Sequence, residues 1–226
     1  MARLFSAKPT NSEEAAQFQQ YFKKHGRYTA GVETRYDPSI IIGTSKHQAL
    51  AKGLKVGMRF HSAPVIRLSD GKPLELGHIL KADGRWRLIV FAAVGDMGLP
   101  DGDVAKLCKF LSDSPESPII RYTPQAADID SVIDIRAVFQ SPHEKVDLGS
   151  LPNLLLPNKG RFGLTDYEKV FCPNFRNGPD IFDHRGIDRL NGALVIVRPD
   201  QFVAKIQPTT EHEEIVRFFE RFMLKA

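Results

Sequence analysis

Three side chains in the sequence could transfer protons: Tyr36, Asp96 and His184. Phenol, carboxyl and imidazole groups could act on an enolisable substrate as general acids and bases. Asp96 follows a long apolar segment, and α/β folds place functional groups at the carboxyl end of such a strand. Each residue also has a structural interpretation: Asp96 as a turn residue or helix cap, His184 as a loop histidine, and Tyr36 as part of an ordered connector. We prefer the structural interpretation for Asp96 and His184, whereas either interpretation explains Tyr36.

Other kinds of reactive site lack their sequence signatures. The two cysteines, Cys108 and Cys172, are far apart and form no CxxC pair, so we expect two free thiols and no thiol redox chemistry. None of the seven histidines has HxH or HxxxH spacing, which argues against a metal site. The chain also has no GxGxxG turn to hold the pyrophosphate of FAD. We therefore expect neither a metal nor a cofactor in this chain.

The charge pattern excludes several classes of partner. The 31 basic and 27 acidic residues give a net charge of +4 and are spread along the chain without a basic run. We expect no nucleic-acid partner, because proteins that bind nucleic acids cluster their Lys and Arg residues. No apolar segment reaches the ~20 residues needed to span a bilayer, and the amino terminus lacks the apolar segment of a secretory signal. We expect a cytoplasmic protein without a membrane partner.

The elements that would position the candidate residues are arranged around one strand. Residues 88–92 are five consecutive apolar residues between two glycine-containing turns, as expected for a strand that is buried on both faces. Helix-like segments separate this strand from its neighbours, which predicts an α/β domain with helices on both sides of a sheet. The other strands are predicted at 63–68, 132–139, 170–172, 193–197 and 201–206.

Apolar residues at spacings of three and four predict four helices. Pro73 is suited to the first turn of the second helix, where its missing N–H costs nothing. Asp101 or Asp103 is expected to cap the third helix, and Thr210 with Glu213 has the spacing of a capping box for the fourth. The helices are predicted at 13–24, 73–80, 103–111 and 210–223.

Two segments have little regular pattern. Residues 27–43 are predicted to form an extended connector without a core of its own. Residues 141–180 contain five prolines and are predicted to be irregular, with one helical turn at 166–170. Long irregular segments in compact domains are usually functional or bind a partner.

Several motifs point to a known family. They are GMRFHSAP at 57–64, RWRLIVF at 85–91, DIR at 134–136, GID at 186–188 and GALVIVRPDQFVA at 192–204. Together they resemble the C-terminal domain of the FAD-dependent phenol 2-monooxygenase family. The segments RLFSAKP at 3–9 and TAGVETRYDPS at 29–39 resemble the end of that family's catalytic region and the connector beyond it. The resemblance covers nearly the whole chain, but only the last part of such a hydroxylase.

The resemblance implies a fold and a role. The fold is a thioredoxin-like central mixed sheet flanked by helices, with an N-terminal helix and an extended connector. Residues 1–52 would be the end of the catalytic region with its connector, and residues 53–226 the thioredoxin-like domain. The implied role is structural: dimerisation with a second copy, or contact with the catalytic region of a flavin hydroxylase. FAD would be bound only in a full-length relative or partner, so this chain is not expected to hydroxylate alone.

Two alternatives remain open. A free-standing protein could use the scaffold as a cofactor-independent isomerase or cyclase on aromatic or polyketide-like intermediates, with Tyr36, Asp96 or His184 as its acid–base groups and a small aromatic ligand. The chain could also be an accessory partner of a separate hydroxylase. Turnover of an intermediate without a flavin partner would separate these two alternatives.

Overall fold

A computed structural model of the protein describes residues 19–22, 26–28, 30–176 and 178–225. The chain divides into two compact units, Met1–Arg35 and Tyr36–Ala226. In the first unit, residues 19–22 are helical, and the rest of the helix predicted at 13–24 lies outside the described residues. The domain boundary predicted at residue 52 stays a prediction.

The second unit is built on a seven-stranded sheet. Its strand β3 (Trp86–Phe91) is buried along its whole length, as the apolar run at 88–92 predicts. β3 pairs in parallel with β4 (Ile133–Val138), which pairs in parallel with β7 (Val170–Pro173). On its other side, β3 pairs antiparallel with β8 (Ala193–Val197). With β1 (Pro64–Arg67), β2 (Pro73–Glu75) and β9 (Val203–Gln207), the strand order is β2-β1-β7-β4-β3-β8-β9.

Four α-helices connect and cover these strands. α1 (Asp103–Asp113) and α2 (Pro118–Tyr122) lie between β3 and β4, α3 (Ile181–Arg185) precedes β8, and α4 (His212–Glu220) follows β9. The core is therefore a β-α-β unit with two parallel strands, followed by an antiparallel hairpin and a final helix. This is the connectivity of the thioredoxin-like fold, so the predicted fold class is confirmed.

The two longest helices are held by apolar faces. α1 buries residues at spacings of three and four, as predicted: Val104, Leu107, Cys108 and Leu111. α4 buries Ile215, Phe218 and Phe219. The ring of Phe219 packs edge to face on Trp86, with the centroids 5.4 Å apart. Aromatic contacts thus attach α4 to the start of the central strand.

Two predicted helical segments are wrong. Residues 73–75 form the outermost strand of the sheet, and a 3₁₀ helix, Leu76–Ile79, follows in place of the predicted α-helix. An edge strand tolerates Pro73, because the missing N–H faces away from the sheet. At 166–170, the Asp166 N–H donates to the Pro157 carbonyl and Val170 begins β7, so no helical turn forms.

The predicted capping box at the start of α4 is also wrong. The helix begins at His212, and its N-cap is Glu211, which makes no side-chain capping bond. The Glu211 N–H donates to the Pro208 carbonyl at 3.3 Å, so a turn precedes the helix. This turn moves the start of the helix past Thr210, and the spacing from Thr210 to Glu213 no longer spans the first turn.

The segment between β4 and β7 contains little regular structure, as predicted. Three 3₁₀ helices occur in it, and a separate two-stranded hairpin is formed by β5 (Asn158–Lys159) and β6 (Leu164–Thr165). The hairpin was not predicted from the sequence. Leu151, Leu154 and Leu155 join the hydrophobic core, so the first half of the segment is fastened to the domain.

Candidate functional site

Asp96 lies in the turn after β3 and fixes the start of α1. Its Oδ1 accepts a hydrogen bond from the Gly98 N–H at 2.9 Å, and its Oδ2 accepts one from the Val104 N–H at 2.9 Å. The side chain that caps α1 is therefore Asp96, and the predicted caps Asp101 and Asp103 are wrong. Oδ2 thus binds an amide that would otherwise lack a partner at the helix start, and Oδ1 binds an amide of the preceding turn, which is the geometry of a structural cap.

The glycines of this turn allow a matched test of its packing. Gly98 (φ +79°) and Gly95 (φ +83°) both have the left-handed backbone that costs other residues about 1–2 kcal/mol. A Cβ at Gly98 would lie 2.7 Å from Leu151 Cδ2 and 3.1 Å from Phe139 Cζ, whereas one at Gly95 would meet nothing within 4 Å. Gly98→Ala should therefore lower the free energy of unfolding by about 1–3 kcal/mol more than Gly95→Ala, through overpacking. Equal urea midpoints for the two variants would contradict the tight packing.

Tyr36 is part of an aromatic and cationic stack at the β8–β9 turn. Its ring packs edge to face on Phe202 with centroids 4.9 Å apart, and the Arg198 guanidinium carbon lies 4.9 Å from the Tyr36 centroid. The Tyr36 N–H donates to the Gly57 carbonyl at 2.8 Å. These contacts hold the start of the second unit against the β8–β9 hairpin, although 44% of Tyr36 is exposed.

The three candidate residues are not assembled into one site. Val197 pairs with Arg87 at the amino end of β3, so Tyr36, beside Arg198, lies near that end of the strand. Asp96 follows the opposite end, and a six-residue strand separates the two by on the order of 15–20 Å. His184 is exposed on α3, and no hydrogen bond or ion pair among the described residues joins it to Asp96. Their use as a catalytic group stays a prediction.

A buried cluster of charged side chains, which the sequence pattern did not predict, lies beside the start of β7. Lys169 has no exposed side-chain surface and forms ion pairs with Asp130 and Asp134. Asp134 Oδ2 also lies 3.0 Å from Arg87 Nε and accepts a hydrogen bond from Arg136 Nε at 2.9 Å. The buried ion cluster, as we call it, consists of Asp83, Arg85, Arg87, Asp130, Asp134, Arg136, Lys159, Asp166 and Lys169.

The cluster nearly balances its own charge, with four carboxylates and five cations. Lys159 bridges Asp130 at 2.6 Å and Asp166 at 2.8 Å, and Arg87 Nη2 binds Asp83 at 2.8 Å. The cluster joins β3, β4 and the residue before β7 to the base of the β5–β6 hairpin. Because water is excluded from its centre, a charge that loses its partner there is strongly destabilising.

The cluster gives the fold an acid-sensitive component. Burial alone would raise the pKa of Asp134, but Arg136, Lys169 and Arg87 together hold that pKa below its ordinary value. A carboxyl group whose pKa is lowered by folding stabilises the fold above its unfolded pKa of about 3.9, and this contribution is lost as the pH falls through the folded value.

We therefore expect the urea midpoint to fall as the pH is lowered below about 4, and to fall less steeply for Asp134→Asn, which lacks this titrating group. Both proteins would be measured between about pH 2.5 and 6, and the slopes compared, because the variant will be less stable throughout. Equal slopes would show that the Asp134 carboxyl does not carry the acid sensitivity.

The two thiols are buried and unsuited to redox chemistry. Burial, assisted by the charge of Asp96, raises the pKa of the Cys108 thiol to about 12. Burial, assisted by Glu144, raises the pKa of Cys172 to about 12 as well. Since the thiolate is the reactive form, neither thiol should react with a disulfide reagent at about pH 8 in the folded protein, and both should react in denaturant. Rapid labelling of either cysteine in the folded protein would contradict this burial.

The described residues show few other features that could hold a ligand. Among them, no three His, Cys, Asp or Glu side chains are placed to share a metal ion. In the same part of the chain, no helix combines the length and the apolar character needed to cross a bilayer. A groove of about 650 Å³ beside the start of α4 is lined mainly by polar and charged side chains around His212. It does not include Tyr36, Asp96 or His184.

Comparisons with known proteins converge on one family. A family model described as phenol hydroxylase, C-terminal dimerisation domain, matches residues 34–226. The chain is 55% identical over 208 residues to 3-hydroxybenzoate 4-monooxygenase of Comamonas testosteroni, covering 92% of this chain and 33% of that protein. It is 36% identical over 215 residues to the FAD-dependent monooxygenase terD of Aspergillus terreus, covering 92% of this chain and 34% of that protein. The chain thus spans about a third of the length of these relatives.

Solved structures with a similar fold are more distant in sequence. A peroxiredoxin-like protein from Aquifex aeolicus is 17% identical, with a TM-score of 0.44 over 76% of this chain and 91% of that chain. A thiol:disulfide interchange protein from Bacteroides sp. is 12% identical, with a TM-score of 0.42 over 73% of this chain and 88% of that chain. Likenesses at this level carry no argument about function.

Proposed function

Since the chain belongs to the family of phenol hydroxylase C-terminal dimerisation domains, we propose that it holds together the subunits of an FAD-dependent aromatic monooxygenase. The match of that family over residues 34–226 is the observation that carries the proposal. The partner is a second copy of the same polypeptide. FAD and the aromatic substrate are bound by a separate catalytic region, because the chain corresponds to only about a third of its relatives.

The chemistry of the described residues supports a structural role. Both thiols are buried with raised pKa values, so the thioredoxin-like scaffold has no thiolate for disulfide exchange. Asp96 is engaged as a helix cap, and Tyr36 lies toward the other end of the central strand. The geometry therefore favours assembly over the isomerase or cyclase alternative, which requires acid–base groups around one substrate.

The proposal is tested by two measurements on the purified chain. Light scattering during size-exclusion chromatography should give the mass of two chains, and titration into FAD should leave the flavin fluorescence unchanged. A monomer at every concentration would contradict the assembly role. Saturable quenching of the flavin fluorescence would show that this chain binds FAD itself. That result would contradict the proposal that a separate region binds the cofactor.

A further inference from the structure

The β5–β6 hairpin carries a group of exposed apolar side chains. Phe162 is 80% exposed, Leu164 70% and Tyr167 48%, all within six residues. A Cβ added at Gly160 or Gly163 would meet no atom within 4 Å, so the tip of the hairpin is surrounded by open space. Neighbouring apolar side chains that stand together in solvent mark an interaction surface more often than scattered ones do.

The base of the hairpin is held in place. Lys159 belongs to the buried ion cluster and joins Asp130 and Asp166. The Gly160 N–H donates to Asp128 Oδ1 at 2.8 Å, and the Asp166 N–H donates to the Pro157 carbonyl at 2.9 Å. A surface that is already ordered loses less conformational entropy when it binds than a mobile loop does. The ion cluster thus presents the apolar tip in a fixed position.

The hairpin is suited to contact with an identical hairpin. β5 and β6 pair only with each other among the described residues, so each has an outer edge without a neighbouring strand. Arg161 is exposed near the start of the segment, whereas Glu168 near its end already pairs with Arg67 of the same chain at 2.5 Å. In an antiparallel contact about a two-fold axis, the free outer edge of one hairpin lies against the same edge of the other.

We propose that the β5–β6 hairpin is the arm through which this chain binds a second copy of itself, with Phe162 and Leu164 at the contact. The inference rests on the proposed assembly function and adds the surface that performs it. Two-fold contact of the arms buries the exposed apolar side chains and covers the free strand edges.

The first test compares charge substitutions on and off the arm. Phe162→Asp and Leu164→Asp should each weaken dimerisation at least tenfold, as measured by sedimentation of the full chain at several concentrations. Leu190→Asp is the matched control, because Leu190 is 76% exposed but lies in the turn before β8. It should leave the dimer unchanged. All three positions are exposed, so thermal unfolding should verify that each variant folds.

The second test traps the contact chemically. Both native cysteines are buried, so Leu164→Cys, in strand β6, introduces the one readily accessible thiol. Mild oxidation should give disulfide-linked dimers of Leu164→Cys but not of Leu190→Cys. If the unaltered chain is dimeric and the arm variants neither dissociate nor cross-link, the arm is not the interface. The proposed assembly function would then still hold, with a different contact surface. If the unaltered chain is monomeric at every concentration, both the arm proposal and the proposed assembly function are contradicted.

Discussion

Lys169→Met is expected to lower the free energy of unfolding by about 3–5 kcal/mol. Lys169 has no exposed side-chain surface, and its ammonium group lies between Asp130 and Asp134. Methionine preserves much of the volume of the side chain but leaves both carboxylates with one cation fewer in a region that excludes water. The loss would thus measure the cost of uncompensated buried charge, and not the net contribution of the ion pairs.

Urea unfolding of Lys169→Met should be compared with that of Lys109→Met. Lys109 also forms an ion pair, with Asp113 at 2.6 Å, but it is 79% exposed, and its replacement should not shift the midpoint measurably. Adding Asp130→Asn to Lys169→Met should recover part of the lost stability, because one of the two uncompensated carboxylates is removed. If Lys169→Met were as stable as Lys109→Met, the cluster would be solvated.

Phe219→Ala is expected to lower the free energy of unfolding by about 3–5 kcal/mol, through the loss of buried apolar surface and the cavity that remains. Phe219 is fully buried on α4 and packs edge to face on both Trp86 and Phe218. Phe175→Ala is the control, since it removes the same side chain from a position that is 54% exposed and lies outside the proposed arm. The single tryptophan of the chain lies in this contact, so its fluorescence reports unfolding directly.

The Phe219 prediction depends on α4 being part of the core. If Phe219→Ala and Phe175→Ala had equal midpoints, the helix would be peripheral and the aromatic contacts with Trp86 would contribute little. A change in the native fluorescence of Phe219→Ala without a loss of stability would show that the contact exists but is replaced by repacking of neighbouring rings.

The central strands could be predicted from the sequence because their signal is local. Residues 88–92 and 193–197 are apolar runs that are long enough for a strand and too short for most helices. The segment after Pro73 misled the prediction, since its apolar spacing suits a helix, whereas pairing of Leu74 with Val65 decides the outcome. Helix starts were predicted poorly for a similar reason. The cap of α1 comes from Asp96, eight residues before its hydrogen-bond donor Val104.

The buried ion cluster and the hairpin could not be predicted in the same way. Lys169 and Asp130 are far apart in sequence and meet only when β4 and β7 pair. One signal was present: charged residues inside a predicted strand, such as Asp134 and Arg136, need buried partners. The strands of the hairpin contain two residues each, too few for any periodicity. The family, in contrast, was inferred from sequence motifs and is confirmed by the family match over 34–226.

Sedimentation equilibrium of the purified chain tests the central claim most directly, because assembly is the one activity assigned to it. Over a range of protein concentrations, we expect the mass of two chains, with dissociation to one chain only on dilution. A mass of one chain at every concentration would contradict the account.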